Sequence, residues 1–203
     1  MMRRHAPALS RQRNRGIAAV ELALVLPLLM LLLFMVADLS RGIQAKIILL
    51  NISREGANLS SRATSDLIGS SQGIMDALAA STPPLDMNKR GMIYITKLMG
   101  PATAGQPNII LEQYRWYAGV KSSGYQPASQ VWNCGTWDSG TCSGILKGTK
   151  APTATLMQNQ LADGELIYVV ETFYNFDMLF GTLTFGSGTT PILGPNLYSM
   201  TVF

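Results

Sequence analysis

Hydrophobic and polar positions change pattern twice along this chain. Residues 17–37, IAAVELALVLPLLMLLLFMVA, are apolar on every side, interrupted only by Glu21 and Pro27. At about 1.5 Å per residue this stretch predicts a helix of roughly 31 Å, the thickness of a bilayer's hydrocarbon core. The apolar residues then thin to a stripe. Leu39, Ile43, Ile47 and Leu50 recur at spacings of three and four, among polar Asp38, Arg41, Gln44, Lys46 and Asn51. That is the period of an amphipathic helix, and it predicts a stripe offered to a folded domain. Unbroken from Ile17 to about Leu59, such a helix is roughly 65 Å long. Gly42 and Gly56 weaken it slightly.

Residues 74–80 (IMDALAA) predict a short second helix, stopped by Pro83 and Pro84. Beyond them the residue types change. Residues 92–99, 109–117, 165–176, 179–185 and 196–203 are rich in β-branched and aromatic side chains and predict strands, the clearest being ELIYVVETFYNF. Residues 100–107 fit a connecting loop, and Asp163-Gly164 fits a turn into the long strand. Residues 119–150 are poor in aliphatics and predict a long surface loop; residues 153–161 predict another short helix. Helices first and strands afterwards imply an α+β fold, with the long N-terminal helix packed on an antiparallel sheet.

Composition alters this picture in one respect. Of the 203 residues 47% are hydrophobic and only 14% charged, against about 25% charged in an average soluble domain. The formal net charge of +4 suggests nucleic acid until it is located. Arg3, Arg4, Arg11, Arg13 and Arg15 fall in the first sixteen residues, which contain no acid, so the remainder carries −1. The basic charge is an N-terminal leader, and no nucleic-acid partner is expected. Five arginines before the apolar run, against Arg41, Lys46 and Arg54 just after it, predict a cytosolic N-terminus with the rest of the chain across the membrane. A cleaved secretory signal fits less well, because the apolar run is too long and passes straight into a helical pattern.

Candidate chemistry is sparse. The single histidine, His5, lies in the leader, so no histidine triad or histidine metal site can form beyond it. Cys134 and Cys142, eight residues apart in a Gly/Ser/Thr-rich stretch, predict a small disulfide loop and an oxidising compartment such as a bacterial periplasm. Asp138 between them suits a turn more simply than a bound cation. Trp116, Trp132 and Trp137 suit sheet packing better than a ligand platform. Glu112, Glu165 and Glu171 fall on predicted strands with no base or nucleophile motif beside them. No catalytic residue, metal ligand or cofactor is expected, and the chain is expected not to be an enzyme.

Glu21 is the unusual residue, since an acid at the centre of a membrane helix costs about 2.5–3.5 kcal/mol on insertion scales. Five residues into the run it can also lie near the headgroups. Gly16 directly precedes the run, and Glu21 is the fifth residue after it. This arrangement, RNRGIAAVELALVLPLL, resembles the class III signal of type IV prepilins, which implies peptidase cleavage between Gly16 and Ile17. Cleavage frees an amine on Ile17 one helical turn from Glu21, able to neutralise a carboxylate on a neighbouring subunit. Pro27 is either a tolerated membrane kink or a site of local unwinding.

Residues 15–63 are similar, further, to the TadE-like domain of tight-adherence (Flp) pilus systems. The glycine, small residues and Glu21 lead into LVLP, and Asp38-Leu39-Ser40-Arg41-Gly42 and Arg54-Glu55-Gly56-Ala57 occupy the later motif positions. Ile17, Leu22 and Leu39 depart from the family's usual residues, and Leu22 argues against the major Flp pilin, which has tyrosine after the glutamate. The resemblance implies a pilin-like fold and a minor pilin or pseudopilin acting in pilus assembly, initiation and surface attachment. Its parts are a cleaved leader (1–16), a transmembrane helix (17–37), a helical extension (38–62) and a periplasmic or extracellular α+β domain (63–203). Implied partners are a prepilin peptidase, the Flp pilin and other minor pilins, and the inner-membrane pilus assembly platform. The alternatives are a minor pseudopilin of a type II secretion system, or an uncleaved, signal-anchored periplasmic binding domain or enzyme.

Overall fold

The structure, a computed structural model, describes residues 14–62, 67–178 and 196–203. Its contacts divide the chain into two compact units, Met1–Arg41 and Gly42–Phe203. Helix α1, Asn14–Arg62, is continuous through the boundary. Its Leu-, Ala- and Met-rich sequence favours helix, and the single Pro27 removes one backbone donor without ending it.

In the second unit α1 is followed by α2 (Leu67–Ala80), α3 (Met87–Arg90), β1 (Gly91–Met99), β2 (Asn108–Arg115) and α4 (Tyr117–Ser122). Five further strands complete the sheet: β3 (Trp137–Asp138), β4 (Thr141–Cys142), β5 (Thr153–Ala154), β6 (Leu166–Asn175) and β7 (Asn196–Val202). The sheet is antiparallel in the order β3-β4-β2-β1-β6-β7, with β5 also pairing β2. Helix first and antiparallel sheet after is the α+β architecture expected. The expected strand at 179–185 lies outside the described residues.

One face of the sheet packs on residues 42–62 of α1. Thr172 Oγ1 donates to the Leu49 carbonyl at 3.3 Å, and the Ser53 hydroxyl lies 3.1 Å from that of Ser199 and 2.8 Å from that of Thr201. Lys46 Nζ donates to the Tyr198 carbonyl. The buried side chains here are Ala45, Leu49, Ile52, Ser53, Ala57 and Ser60. The predicted stripe is therefore displaced: Ile43 and Ile47 remain 54% and 52% exposed, and Leu39 58%. Small residues let the helix backbone come close to the sheet, and hydrogen bonds from β6 and β7 select that side. Gly56 is a requirement of this packing, since a Cβ there would stand 2.7 Å from Leu78 Cδ1 and 3.1 Å from Val170 Cγ1.

Cross-strand partners share a face, so Thr96, Leu98, Ile110, Ile167, Val169 and Glu171 line the opposite side. The chain after α4 covers it. Val131, Trp132, Ile145, Leu156 and Leu161 pack against Leu98, Ile110, Ile167 and Val169. The expectation of a surface loop over 119–150 is corrected accordingly: this segment forms α4, the β3–β4 hairpin and a 3-10 turn at Gly148–Lys150, and buries Ser123, Ser129 and Cys142. The expected helix over 153–161 is corrected too. Thr153–Ala154 is β5, and Met157 and Asn159 adopt positive φ (54° and 66°), which a right-handed helix does not accommodate. The Asn108 side chain holds this turn by donating to the Leu156 carbonyl at 2.6 Å. Helix α2 starts seven residues before the expected 74, since Leu67, Met75 and Leu78 are buried in the core and offset the weak propensity of its Gly and Ser residues.

Candidate functional site

Of the positions on which the prepilin resemblance rests, Gly16, Ile17, Glu21 and the apolar run fall in residues 14–41, while Arg3, Arg4, Arg11 and Arg13 of the leader lie outside the described residues. Gly16 faces open space, with nothing within 4 Å of a Cβ built on it. Ile17 is 60% exposed, and Glu21, four residues on, lies on the same helical face and is exposed. Fifteen large apolar side chains between Ile17 and Val36 are exposed. At about 1.5–3 kcal/mol for fully burying each one, and with each exposed by roughly half, leaving them in water forgoes more than about 10 kcal/mol, so this surface calls for an apolar environment. The most apolar eighteen-residue window has a mean hydropathy of 2.7 and none of it is buried. Among the described residues this is the one helix long and apolar enough to cross a membrane. The chain continues helically through Pro27, where the missing N–H leaves the Ala23 carbonyl without its usual donor. Close after the run Asp38 is buried, with Arg41 Nη1 3.1 Å from its Oδ1.

A glycine, an acid five residues later and a long exposed apolar helix thus stand in one continuous element. Residues 16–58 match the TadE-like protein family. No curated protein and no solved structure matches the chain. The TadE-like segment begins at Gly16 and ends within α1, so it takes in the apolar run and most of the length packed on the sheet. Gly16, Ile17, Glu21 and Pro27 all fall inside it.

Beyond the TadE-like segment the expected disulfide is present: Cys134 and Cys142 are bonded, with Cα atoms 5.9 Å apart. The bridge closes the β3–β4 hairpin, whose turn places Ser139 and Gly140 at φ 48° and 88°. Asp138 is exposed there and accepts from Ser139 Oγ at 3.2 Å, the turn role expected of it. Trp137 packs within the hairpin under the Arg115 guanidinium, 4.7 Å from its ring centre, and beside Tyr94. Trp116 is buried, its Nε1 donating to Asp76 Oδ1 at 2.7 Å, and Trp132 packs in the second core.

Glu171 is the residue whose role the sequence left unread. It is fully buried in the centre of β6 and accepts from Ser129 Oγ, from the Gln130 backbone N–H at 2.7 Å and from the Tyr198 hydroxyl at 3.0 Å. Gln113 Nε2 extends the network to Ser129 Oγ at 3.1 Å and the Trp132 carbonyl at 2.7 Å. Burial pushes the Glu171 carboxyl above its ordinary pKa, partly opposed by these hydrogen bonds, and burial beside Glu171 raises the Tyr198 phenol. The network latches residues 129–132 to the sheet. An acid inside the β-branched and aromatic run LIYVVETFY was its visible signal. Glu112 and Glu165 serve locally, accepting from the Tyr114 hydroxyl and the Ala162 N–H. Among the described residues no cluster of three His, Cys, Asp or Glu side chains suits a metal ion.

Proposed function

We propose that this chain is a minor pilin, or pseudopilin, of a tight-adherence Flp pilus. The observation that carries the reading is the TadE-like match lying on a helix whose apolar surface is exposed along the whole run. The membrane takes up that surface first, with the arginine-rich leader cytosolic and the α+β domain in the periplasm or outside the cell. A prepilin peptidase cuts after Gly16. Nothing in the packing of the described residues demands glycine at that position, which supports a requirement imposed from outside, by a protease cleft needing an unbranched residue. The freed Ile17 amine and Glu21 then neutralise one another between neighbouring helices as the subunit joins the Flp pilin and other minor pilins on the inner-membrane assembly platform. Work is done by association rather than by turnover, without a cofactor, in pilus assembly, initiation and surface attachment. The disulfide suits the oxidising side of the membrane.

Glu21→Ala tests the assembly step. The variant is expected to insert and to be processed normally, yet to disappear from sheared surface pili and from complexes captured with tagged Flp pilin. Recovery of Glu21→Ala at wild-type levels, or absence of the wild type from both fractions, would overturn the reading.

A further inference from the structure

The segment following the disulfide hairpin runs back along the outer edge of β2 and is tied to it at both ends. Thr141 pairs with Tyr114 at one end, and Thr153 and Ala154 pair with Ile109 and Asn108 at the other. The Ile110 N–H, donating to the Pro152 carbonyl at 2.9 Å, reinforces the second tie. Residues 143–152 span a distance that β2 covers with Ile110 to Gln113, so the longer chain bows outward. The slot beneath it has a volume of about 680 Å³. Strand β2 is irregular at the same place: its register with β1 shifts there, leaving Leu111 without a cross-strand partner.

The slot's walls are mainly apolar, formed by Met99, Ile109, Leu111, Ile145 and Leu146. Leu146 is 56% exposed at the mouth, beside exposed Lys147. The one acid in the lining, Glu112, faces Lys97 at 4.0 Å, so its charge is offset. Among the described residues neither Lys147 nor nearby Lys150 lies in a salt bridge, and the mouth is positive. A polypeptide adding to the edge of β2 would have to run on past Tyr114 or Ile109, where β4 and β5 already hold the ladder. The occupant must therefore end inside. The volume lies within the range of small-molecule sites.

We propose that this slot binds a free anionic amphiphile: an unbranched alkyl chain between β2 and Ile145–Leu146, with its carboxylate at Lys147. The test is photo-crosslinking of the full chain in nanodiscs with a diazirine-bearing fatty acid, mapped by peptide mass spectrometry. Adducts are expected on residues 109–112 and 145–151 and should be competed by unlabelled laurate. Ala151→Trp, which fills the slot, should abolish them. Lys147→Gln should raise the competing laurate concentration about tenfold, the effect of one lost charge contact near 1.4 kcal/mol, while Lys89→Gln changes nothing. Leu111→Asn serves as a second slot variant should Ala151→Trp fail to fold. Adducts confined to residues 17–37 would overturn the proposal. So would slot labelling seen only when the diazirine is carried on a nanodisc phospholipid, or slot labelling that persists in a folded slot variant.

Discussion

Gly56 lies against Leu78 and Val170, and the space there decides what a side chain costs. A valine must displace Leu78 and Val170, so Gly56→Val is expected to lower stability by about 1–3 kcal/mol, read as a lower unfolding midpoint by near-UV circular dichroism. Gly73, exposed inside α2 with nothing within 4 Å, is expected to behave oppositely: Gly73→Ala should stabilise by up to about 1 kcal/mol. Glu171 makes a pH prediction at the same scale. Its carboxyl titrates above the ordinary range when folded, so folding favours the protonated form. That contribution is fully present below the ordinary carboxylate pKa and is lost as pH rises through the raised one. Wild-type stability relative to Glu171→Gln should therefore fall as pH is raised from about 4 to about 8. A difference that is flat or grows with pH would contradict the burial argument. At this scale the sequence is legible where chemistry is intrinsic: two cysteines eight apart in a Gly/Ser/Thr-rich stretch have an obvious use. It is not legible where a role depends on distant partners, as with Glu171, whose donors come from residues 129, 130 and 198.

Elements were legible in proportion to how far local pattern decides them. Strands β1, β6 and β7 follow from β-branched and aromatic runs, and α1 from an apolar sequence with one proline. The face α1 turns to the sheet did not follow, because periodicity marks an apolar side without saying what covers it. Here the sheet takes the small-residue side around Ala45, Leu49, Ser53, Gly56 and Ala57, leaving Ile43 and Ile47 outside. The two sides make opposite predictions. Leu49→Ala should cost about 2–5 kcal/mol of domain stability, whereas Ile47→Ala should change it by no more than about 0.5 kcal/mol. Thermal unfolding of the isolated, unassembled chain in nanodiscs measures both, and equal losses would restore the displaced stripe. The layer between α4 and β5 was illegible for a related reason. Aliphatic content is low there because the sheet grips that segment through Gln113, Glu171 and Asn108 as well as through apolar contact.

In the molecule as a whole, the slot beneath residues 143–152 had no sequence signal, since it arises from unequal chain lengths between two shared ties. The TadE-like segment was legible throughout, because glycine, glutamate and the apolar run lie in one local stretch with fixed spacing. The central claim is that this stretch is a prepilin signal, and the intact mass of the membrane-extracted protein tests it most directly. With the cognate prepilin peptidase co-expressed, the account predicts loss of residues 1–16 and a new N-terminus at Ile17, with the full-length mass retained when the peptidase is absent. A full-length mass under both conditions would contradict it and leave a helix-anchored domain without the pilin mechanism.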